Sequence, residues 1–407
     1  MRAFNLAQVE DLSQVYGSPL YVFDKQAFVD NFRHLERAFR SIYPKYRIAY
    51  SFKTNYTPYI VSVVKKLGGY AEVVSGMEYF IAKKMGFPDR EIIFNGPDKG
   101  QAGMQAFLNG CMVNVDNMQE AAELVRLALD NRDRKFEIAL RVNMDVGQNF
   151  ISRFGIDPSQ LEEVLAVLHK AENISVVGLH CHISRCRGLQ AWQQRVEQML
   201  ALADRYFAEP PKFMDLGSGM FGTMDAELAA QFSDVPSYED YATVVAGAFA
   251  RHYQHLSEEK KPTLITEPGT TLINRFVDFI ARVDAIKTIR GKNIAVLNCS
   301  EHNLGETCTL KELPLRILPI EAAHREYAKM DFTGYTCLEQ DVMRKDLTCS
   351  LAVGDYVIFG NVGGYSNVLK PPFIWPNCAM VALTGDGQVK LMKEKESFED
   401  ILHTYVF

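Results

Sequence analysis

"RIAYSFKTN", Arg47 to Asn55, opens as an ordinary buried strand and sets a lysine where the apolar run stops. Ile48, Ala49, Tyr50 and Phe52 lie close together, and Lys53 follows them. A lysine is seldom buried without a partner, because taking its charge out of water is costly. The stretch predicts a strand whose end presents an amine for a purpose.

A rhythm follows. Further short β-rich segments appear at 70–75 (YAEVVS), 91–96 (EIIFNG), 112–116 (MVNVD) and 136–143 (FEIALRVN). They continue at 176–183 (VVGLHCHI), 213–219 (FMDLGSG) and 263–269 (TLITEPG). Between them lie helix-like stretches such as NMQEAAELVRLALDN and LQAWQQRVEQMLALADRYF, several ending in the Gly or Asn that stops helices. An amphipathic helix precedes the series, with Phe28, Phe32, Leu35, Phe39 and Ile42 at helical spacing. Strand–helix alternation of this kind fits a TIM-like (β/α)8 barrel, and a doubly wound open sheet shares the periodicity. The barrel is the expected α/β fold. Each segment ends in polar or glycine residues, and in a barrel those ends share the face that carries active sites.

From about 275 the rhythm changes. FVDFIARVDAIKTIRG and KNIAVLNCS look like strands, while VGDYVIFGNVGGYS and CAMVALTGDGQVKLMKEKES look like hairpins, the second turning at GDG. The expected division is a barrel over 26–275 and a mostly-β domain over 276–407, joined by the N-terminal strand within 1–25.

Apolar residues make up 47% of the 407 and charged residues 23%, as in soluble globular proteins. The net charge of −6 argues against a nucleic-acid partner, and no apolar run is long enough to span a bilayer. The N-terminus MRAFNLAQVEDLSQVYG lacks the apolar core of a signal peptide. Eight cysteines stand without a CxxC pair, so reduced thiols and a cytoplasmic location are expected.

Two glycine turns close the seventh and eighth segments, DLGSGMFG (215–222) and EPGT (267–270). Glycines let backbone N–H groups approach an anion, and TIM barrels often hold phosphate at these positions. A phosphate site, a lysine and an acid on one mouth suggest pyridoxal 5'-phosphate. Lys53 can bond its aldehyde, and Glu267 can keep the pyridine nitrogen protonated. In GLHCHIS, His180 and His182 alternate with Cys181 and so face one side of a strand. One can stack on an aromatic cofactor, and alternation leaves open which. A zinc pair with Cys186 is the rival, lacks an assembled ligand set, and is not expected.

These motifs together resemble the fold-type III pyridoxal-phosphate decarboxylases, the group of ornithine, diaminopimelate and carboxynorspermidine decarboxylases, related more distantly to alanine racemase. The likeness covers nearly the whole chain. YGSPLYVFD resembles the family's opening strand, and AYSFKTN its lysine motif with Lys53 as the cofactor lysine. GGYAEVVSGMEY resembles its DVVSxGE segment, and HCHIS its histidine motif with His182 as the ring-stacking residue. DLGSGMFG and EPGT resemble its phosphate loops, which implies cofactor contacts at Gly217, Ser218, Gly219, Gly269 and Thr270. GYTCLEQD resembles its cysteine motif, which implies Cys337 as proton donor and Leu338, Glu339 and Asp341 near substrate. GGYS resembles its tyrosine motif, which implies Tyr365 near the phosphate, and Arg141 falls where the family has a barrel arginine near the cofactor. The resemblance also implies a homodimer in which the cysteine loop of one subunit completes the other's site.

The departures bear on the substrate. The family loop usually reads EPGR, and this chain has Thr270 at the fourth position. After the cysteine, diaminopimelate decarboxylases carry Glu and ornithine decarboxylases Asp, whereas Leu338 stands here, the residue of the carboxynorspermidine type. A leucine does not pair with a distal ammonium. Arg185 falls where some relatives have a phosphate-binding serine and is a candidate for an acidic substrate group or for solvated surface. The expected activity is decarboxylation at the α-carboxylate of an amino acid or amino-acid conjugate: a diamino acid, a carboxy-polyamine, or a siderophore or carrier-linked intermediate. An amino-acid racemase of the same fold and a non-catalytic regulatory homologue are the alternatives. Glu267 opposes the first, since racemases of this fold place arginine at the ring nitrogen. Retention of Lys53, Glu267, both glycine loops and Cys337 opposes the second.

Overall fold

The computed structural model describes residues 1–147, 151–320 and 324–407. The chain forms two compact units. The barrel unit comprises Asn31–Gly222 and Asp234–Thr271, and the β-rich unit comprises Met1–Asp30, Thr223–Ser233 and Leu272–Phe407. The excursion Thr223–Ser233, which the division at 26–275 placed with the barrel, clusters with the β-rich unit.

The chain begins in the β-rich unit with helix Leu6–Tyr16 and strand β1 (Leu20–Asp24). The barrel strands are β2 (Tyr46–Ser51), β3 (Tyr70–Val73), β4 (Ile92–Phe94), β5 (Met112–Val115), β6 (Phe136–Arg141), β7 (Ile174–His180), β8 (Phe213–Asp215) and β9 (Thr263–Thr266). All eight expected segments contain one. The strands close in chain order, with β9 pairing β2 in parallel register, Ile48 opposite Thr266. Parallel neighbours require crossover connections, and the intervening helices supply them. Strands covered on both faces read as near-continuous apolar runs, as β4 does with all three residues buried.

One interior layer takes Ala49, Ile93, Ala139 and Phe213 from the alternate strands β2, β4, β6 and β8, with Ile265 beside them. The large Phe213 ring fits because residue 178 is glycine: a Cβ there would meet the ring at 2.7 Å. The outer helices are set by local signals. Asn117 accepts from Glu120 N at the start of helix Met118–Asp130, which buries Ala121, Leu124, Val125 and Ala128.

In the β-rich unit the sheet runs β14–β13–β11–β10–β1–β16–β17, with β15 pairing β10 and β12. The added strands are β10 (Val277–Ile289), β11 (Lys292–Leu297), β12 (Leu315–Leu318), β13 (Arg325–Thr333), β14 (Val342–Leu351), β15 (Tyr356–Phe359), β16 (Ala379–Leu383) and β17 (Val389–Lys393). The early strand β1 joins this sheet, antiparallel to β10 and parallel to β16. Strands β16 and β17 form the hairpin expected across GDG. VGDYVIFGNVGGYS is not a hairpin: it holds β15, which pairs with β10 and β12, and then bends through Asn361 and Tyr365 at positive φ. Helix Leu6–Tyr16 covers one sheet face, placing Val9 and Leu12 against Leu20, Val22, Ile280 and Val381. No helix among the described residues is long and apolar enough to cross a membrane.

A buried ion pair lies beside the barrel mouth. Lys99 Nζ is 2.6 Å from Glu120 Oε1, with side-chain exposures of 1% and 9%. Glu120 Oε2 also accepts from Asp116 N at 2.8 Å. Breaking such a pair strands a charge. Glu120→Leu should lower stability in urea unfolding by about 3 kcal/mol, and adding Lys99→Met should recover more than half of that loss. A double variant no better than the single one would contradict the pairing. A second stability effect depends on pH. Burial outweighs the hydrogen bond from Val74 N and raises the Glu78 carboxyl from 4.5 to about 7. The folded chain therefore binds this proton more tightly than the unfolded chain, and stability declines as pH rises from about 4.5 to about 7. Glu78→Gln should flatten the urea midpoint across that window relative to the parent; an unchanged slope would refute the assignment.

Candidate active site

The catalytic face is built where the barrel strands end. Strand β2 stops at Ser51, and Lys53 sits in the short 3-10 turn Phe52–Thr54 that follows. Lys53 Nζ lies 2.6 Å from Glu72 Oε2 and 2.7 Å from Ser51 Oγ. Ser51 Oγ also donates to Glu72 Oε2. Glu72 is a lone acid in an apolar strand, buried between Ala71 and Val73 on β3. Its second oxygen accepts from Asn95 Nδ2 at 3.0 Å. The same amide group donates to Glu267 Oε1 at 2.5 Å, and Asn114 Nδ2 donates to Asn95 Oδ1 at 2.6 Å. A continuous hydrogen-bonded chain therefore joins Lys53 to Glu267 through Glu72 and Asn95.

Glu267 is buried at the end of β9. His180 Nε2 is 3.2 Å from its Oε2, and His182 Nδ1 is 3.9 Å from the same atom. Burial alone would raise the Glu267 carboxyl. The hydrogen bond with His180 and the Lys53 charge outweigh it and hold the group below the usual carboxylate range. Burial depresses His180 below the ordinary histidine range. Burial and then Lys53 depress His182 further. Asp215, at the end of β8, moves the other way: burial, then the Glu267 charge, raises it well above the carboxylate range. Its Oδ1 accepts from Gly217 N at 2.8 Å, while its buried Oδ2 has no hydrogen-bond partner among the described residues. Donor atoms of His180, Asp215 and Glu267 lie within 4.8 Å of one another. This adds two carboxyls the zinc reading lacked, and His180 and Glu267 of the group are already hydrogen-bonded to each other. Cys186 is not in it.

The glycine loops pack where no side chain would fit. A Cβ at Gly217, where φ is +61°, would lie 2.6 Å from Cys181 O, and one at Gly219 would lie 2.6 Å from Ile183 O. A Cβ at Gly269 would lie 2.0 Å from Thr54 Oγ1, so the EPGT loop is pressed onto the Lys53 turn. Ser218 N donates to His182 Nδ1 at 3.2 Å, which ties the first loop to the histidine motif. Thr270 begins the short helix Thr270–Ile273. Arg141 is buried beside this cluster, 3.4 Å from Asp116 Oδ1 and with its guanidinium over the Phe154 ring. Arg185 takes φ +71° in the loop after β7. The donor set suits pyridoxal phosphate: an amine for the aldehyde, an anionic carboxylate for the ring nitrogen, an imidazole, and two close-packed glycine loops for the phosphate.

The structure thus gathers Lys53, His182, Glu267, Gly217, Ser218, Gly219 and Gly269 within the barrel unit. Glu72, Asn95 and Asp215 have their partners only in three dimensions. A single polar residue inside an apolar strand, as in YAEVV, is the signal that marks Glu72.

The remaining candidates lie in the β-rich unit. Cys337 and Glu339 are exposed and Leu338 is half-buried on a turn between β13 and β14. Asp341, expected near substrate, lies beneath the same turn. It is buried, and its carboxylate accepts from Glu301 N at 2.8 Å, Thr336 N at 3.2 Å and Thr336 Oγ1 at 2.6 Å. It therefore braces the Cys337 turn from below. A Cβ at Gly334 would collide with it at 2.1 Å. Tyr365 stands half-buried at φ +54°.

Comparison with known proteins agrees with this geometry. Residues 29–274 match the family described as pyridoxal-dependent decarboxylase, pyridoxal binding domain. The chain is 26% identical to a diaminopimelate decarboxylase of Aquifex aeolicus, over 97% of this chain and 93% of that protein. It is also 26% identical to one of Neisseria meningitidis, over 95% of each. A crystal structure of diaminopimelate decarboxylase from M. jannaschii shares the fold with a TM-score of 0.85, at 22% identity over 98% of this chain and 94% of that one. The match spans well over half of the chain, and the chain belongs to the pyridoxal-dependent decarboxylase family, with pyridoxal phosphate as its cofactor.

Proposed function

We propose that the protein removes the α-carboxylate of an amino acid to give an amine and CO2, and that its substrate is a diamino acid or a conjugate with a modified distal end. The observation that carries the reaction type is the anionic Glu267, linked by hydrogen bonds to Lys53. Bound pyridoxal phosphate supplies an electron sink for the pair left when CO2 departs, and an anion at the ring nitrogen strengthens that sink. Lys53 would hold the cofactor covalently. Glu72 and Ser51, which contact its Nζ, would orient that nitrogen and hold its proton. Asn95 and His180 fix the Glu267 carboxylate, and Asp215 lies close beside it. His182 would lie against the ring, and Gly217, Ser218, Gly219, Gly269, Thr270 and Tyr365 would meet the phosphate. Arg141 would support the mouth. Cys337 would deliver a proton to Cα, since thiols exchange protons close to neutral pH.

The relatives named diaminopimelate decarboxylase support a diamino acid. Leu338 and Thr270 support a changed distal end, because neither offers the charge that reads a free ammonium or carboxylate there. Carboxy-polyamines and siderophore or carrier-linked amino acids remain within the proposal, with Glu339 and Arg185 as candidate contacts. The reading extends to a homodimer in the cytoplasm, with Cys337 of a second copy completing each site. All eight cysteines are free thiols, in keeping with a reducing compartment.

CO2 release should be screened over diamino acids, carboxy-polyamines and citrate-conjugated amino acids. At least one should give CO2 and the matching amine; failure of all with cofactor bound, or a change of optical rotation without CO2, would overturn the reading. Glu267→Gln should keep cofactor absorbance and lose about 100-fold or more in CO2 release; activity within a few-fold of the parent would remove Glu267 from the chemistry. Mixing inactive Glu267→Gln and Cys337→Ala chains should restore up to about a quarter of parental activity, as random dimer exchange requires for shared sites. No recovery after verified exchange would place each site within one chain. Asp341→Ala should lower kcat more than it raises KM and alter the reactivity of Cys337 toward a thiol reagent. Unchanged thiol reactivity would show that Asp341 does not hold the turn.

A further inference from the structure

A cavity of about 870 Å³ in the β-rich unit has no part in the chemistry above. It is lined by helix Leu6–Tyr16, by β10 and by the segment from Lys370 to Cys378. Its buried charge is Lys370, only 7% exposed. The ammonium has three donors, and two are used, on Asn377 Oδ1 at 3.0 Å and Pro371 O at 3.2 Å. Both acceptors are neutral. Glu396, the acid associated with this corner, is committed to Lys393 Nζ at 2.9 Å and to both nitrogens of Asn377. Among the described residues no carboxylate pairs with Lys370. A buried ammonium served only by neutral acceptors is costly, and an anion in the cavity would offset that cost.

Other features fit a particular ligand. Ser13 Oγ lines the cavity and is a buried polar atom without a hydrogen-bond partner. Tyr335 and Trp375 also line it, with ring centroids 6.4 Å apart and planes at 88°. Ile374, next to Trp375, takes φ +66°, a conformation that a β-branched residue rarely adopts. Arg282 and Lys395 add positive charge to the lining, and Glu10, Asp11 and Asp284 add exposed negative charge. An anion alone would meet those three acids. A zwitterion satisfies both signs.

We infer that this cavity binds a small zwitterion with a flat apolar body. Its carboxylate meets the Lys370 ammonium, its ammonium faces Glu10, Asp11 and Asp284, and its body lies against Tyr335 and Trp375. The inference does not rest on the decarboxylase reading.

The holoprotein should be titrated calorimetrically with 4-(aminomethyl)benzoate and, separately, with 4-(aminomethyl)benzamide, which keeps the ring and the ammonium but lacks the carboxylate. Cofactor absorbance should be followed throughout. The acid should bind saturably without shifting the cofactor spectrum, and the amide at least about tenfold more weakly. Trp375 emission, isolated as the part of the signal lost in Trp375→Phe, should change with the same saturation curve. Lys370→Met, checked for folding by circular dichroism, should weaken the acid by at least about tenfold. If that variant does not fold, the acid–amide comparison on the unchanged protein decides. Equal binding of acid and amide, no saturable binding, or binding that shifts the cofactor spectrum and survives Lys370→Met would each overturn the proposal.

Discussion

Strand β9 returns to strand β2 in parallel register, and that closure sets the distance on which the site depends. Ile48 lies opposite Thr266, and the Tyr46 hydroxyl is 2.7 Å from Thr266 Oγ1. One residue past Thr266 comes Glu267; a few past Ile48 comes Lys53. The absence of a side chain at Gly269 lets the β9 loop rest on Thr54 and Ser51 of the lysine turn. Residues from opposite ends of the barrel sequence thus become neighbours, and the interior layer of Ala49, Ile93, Ala139 and Phe213 fixes the cylinder beneath them.

Electrostatics then differentiates groups that look alike. Asp215 and Glu267 are both buried carboxyls at adjacent strand ends, yet their surroundings push them in opposite directions, Asp215 up by burial and the Glu267 charge, Glu267 down by its partners. Two anions this close in a poorly solvated place repel, which pushes their titrations apart. Glu267 is the one placed against His180, Asn95 and the lysine side of the mouth, and it keeps the charge. Glu72 plays the matching part for Lys53. Its two oxygens serve the amine and Asn95 separately, which lets one strand acid steady both ends of the hydrogen-bonded chain.

Much of this was legible in the residues. The eight strands showed through short apolar runs closed by polar ends, because a two-sided buried strand has little choice of composition. Lys53, Glu267 and the glycine loops showed because their chemistry is unusual at strand ends. Other parts were hidden for physical reasons. Asn95 looks like any turn residue until its two carboxylate partners are placed. Asp341 follows a cysteine motif, and no local pattern reveals the donors at Glu301 and Thr336 that its carboxylate meets. The stretch around β15 alternates like a hairpin, yet its partners β10 and β12 come from elsewhere in the chain. The excursion Thr223–Ser233 carries no signal of its own and is assigned only by contacts.

The account stands on Lys53 as the residue that holds the cofactor. Reduction of the holoprotein with borohydride, proteolysis and peptide mass spectrometry tests this most directly. The phosphopyridoxyl mass is expected on the peptide containing Lys53 and on no other lysine in stoichiometric amount. Stoichiometric label on another lysine, such as Lys99, or none on Lys53 in fully loaded protein, would contradict the account at its foundation.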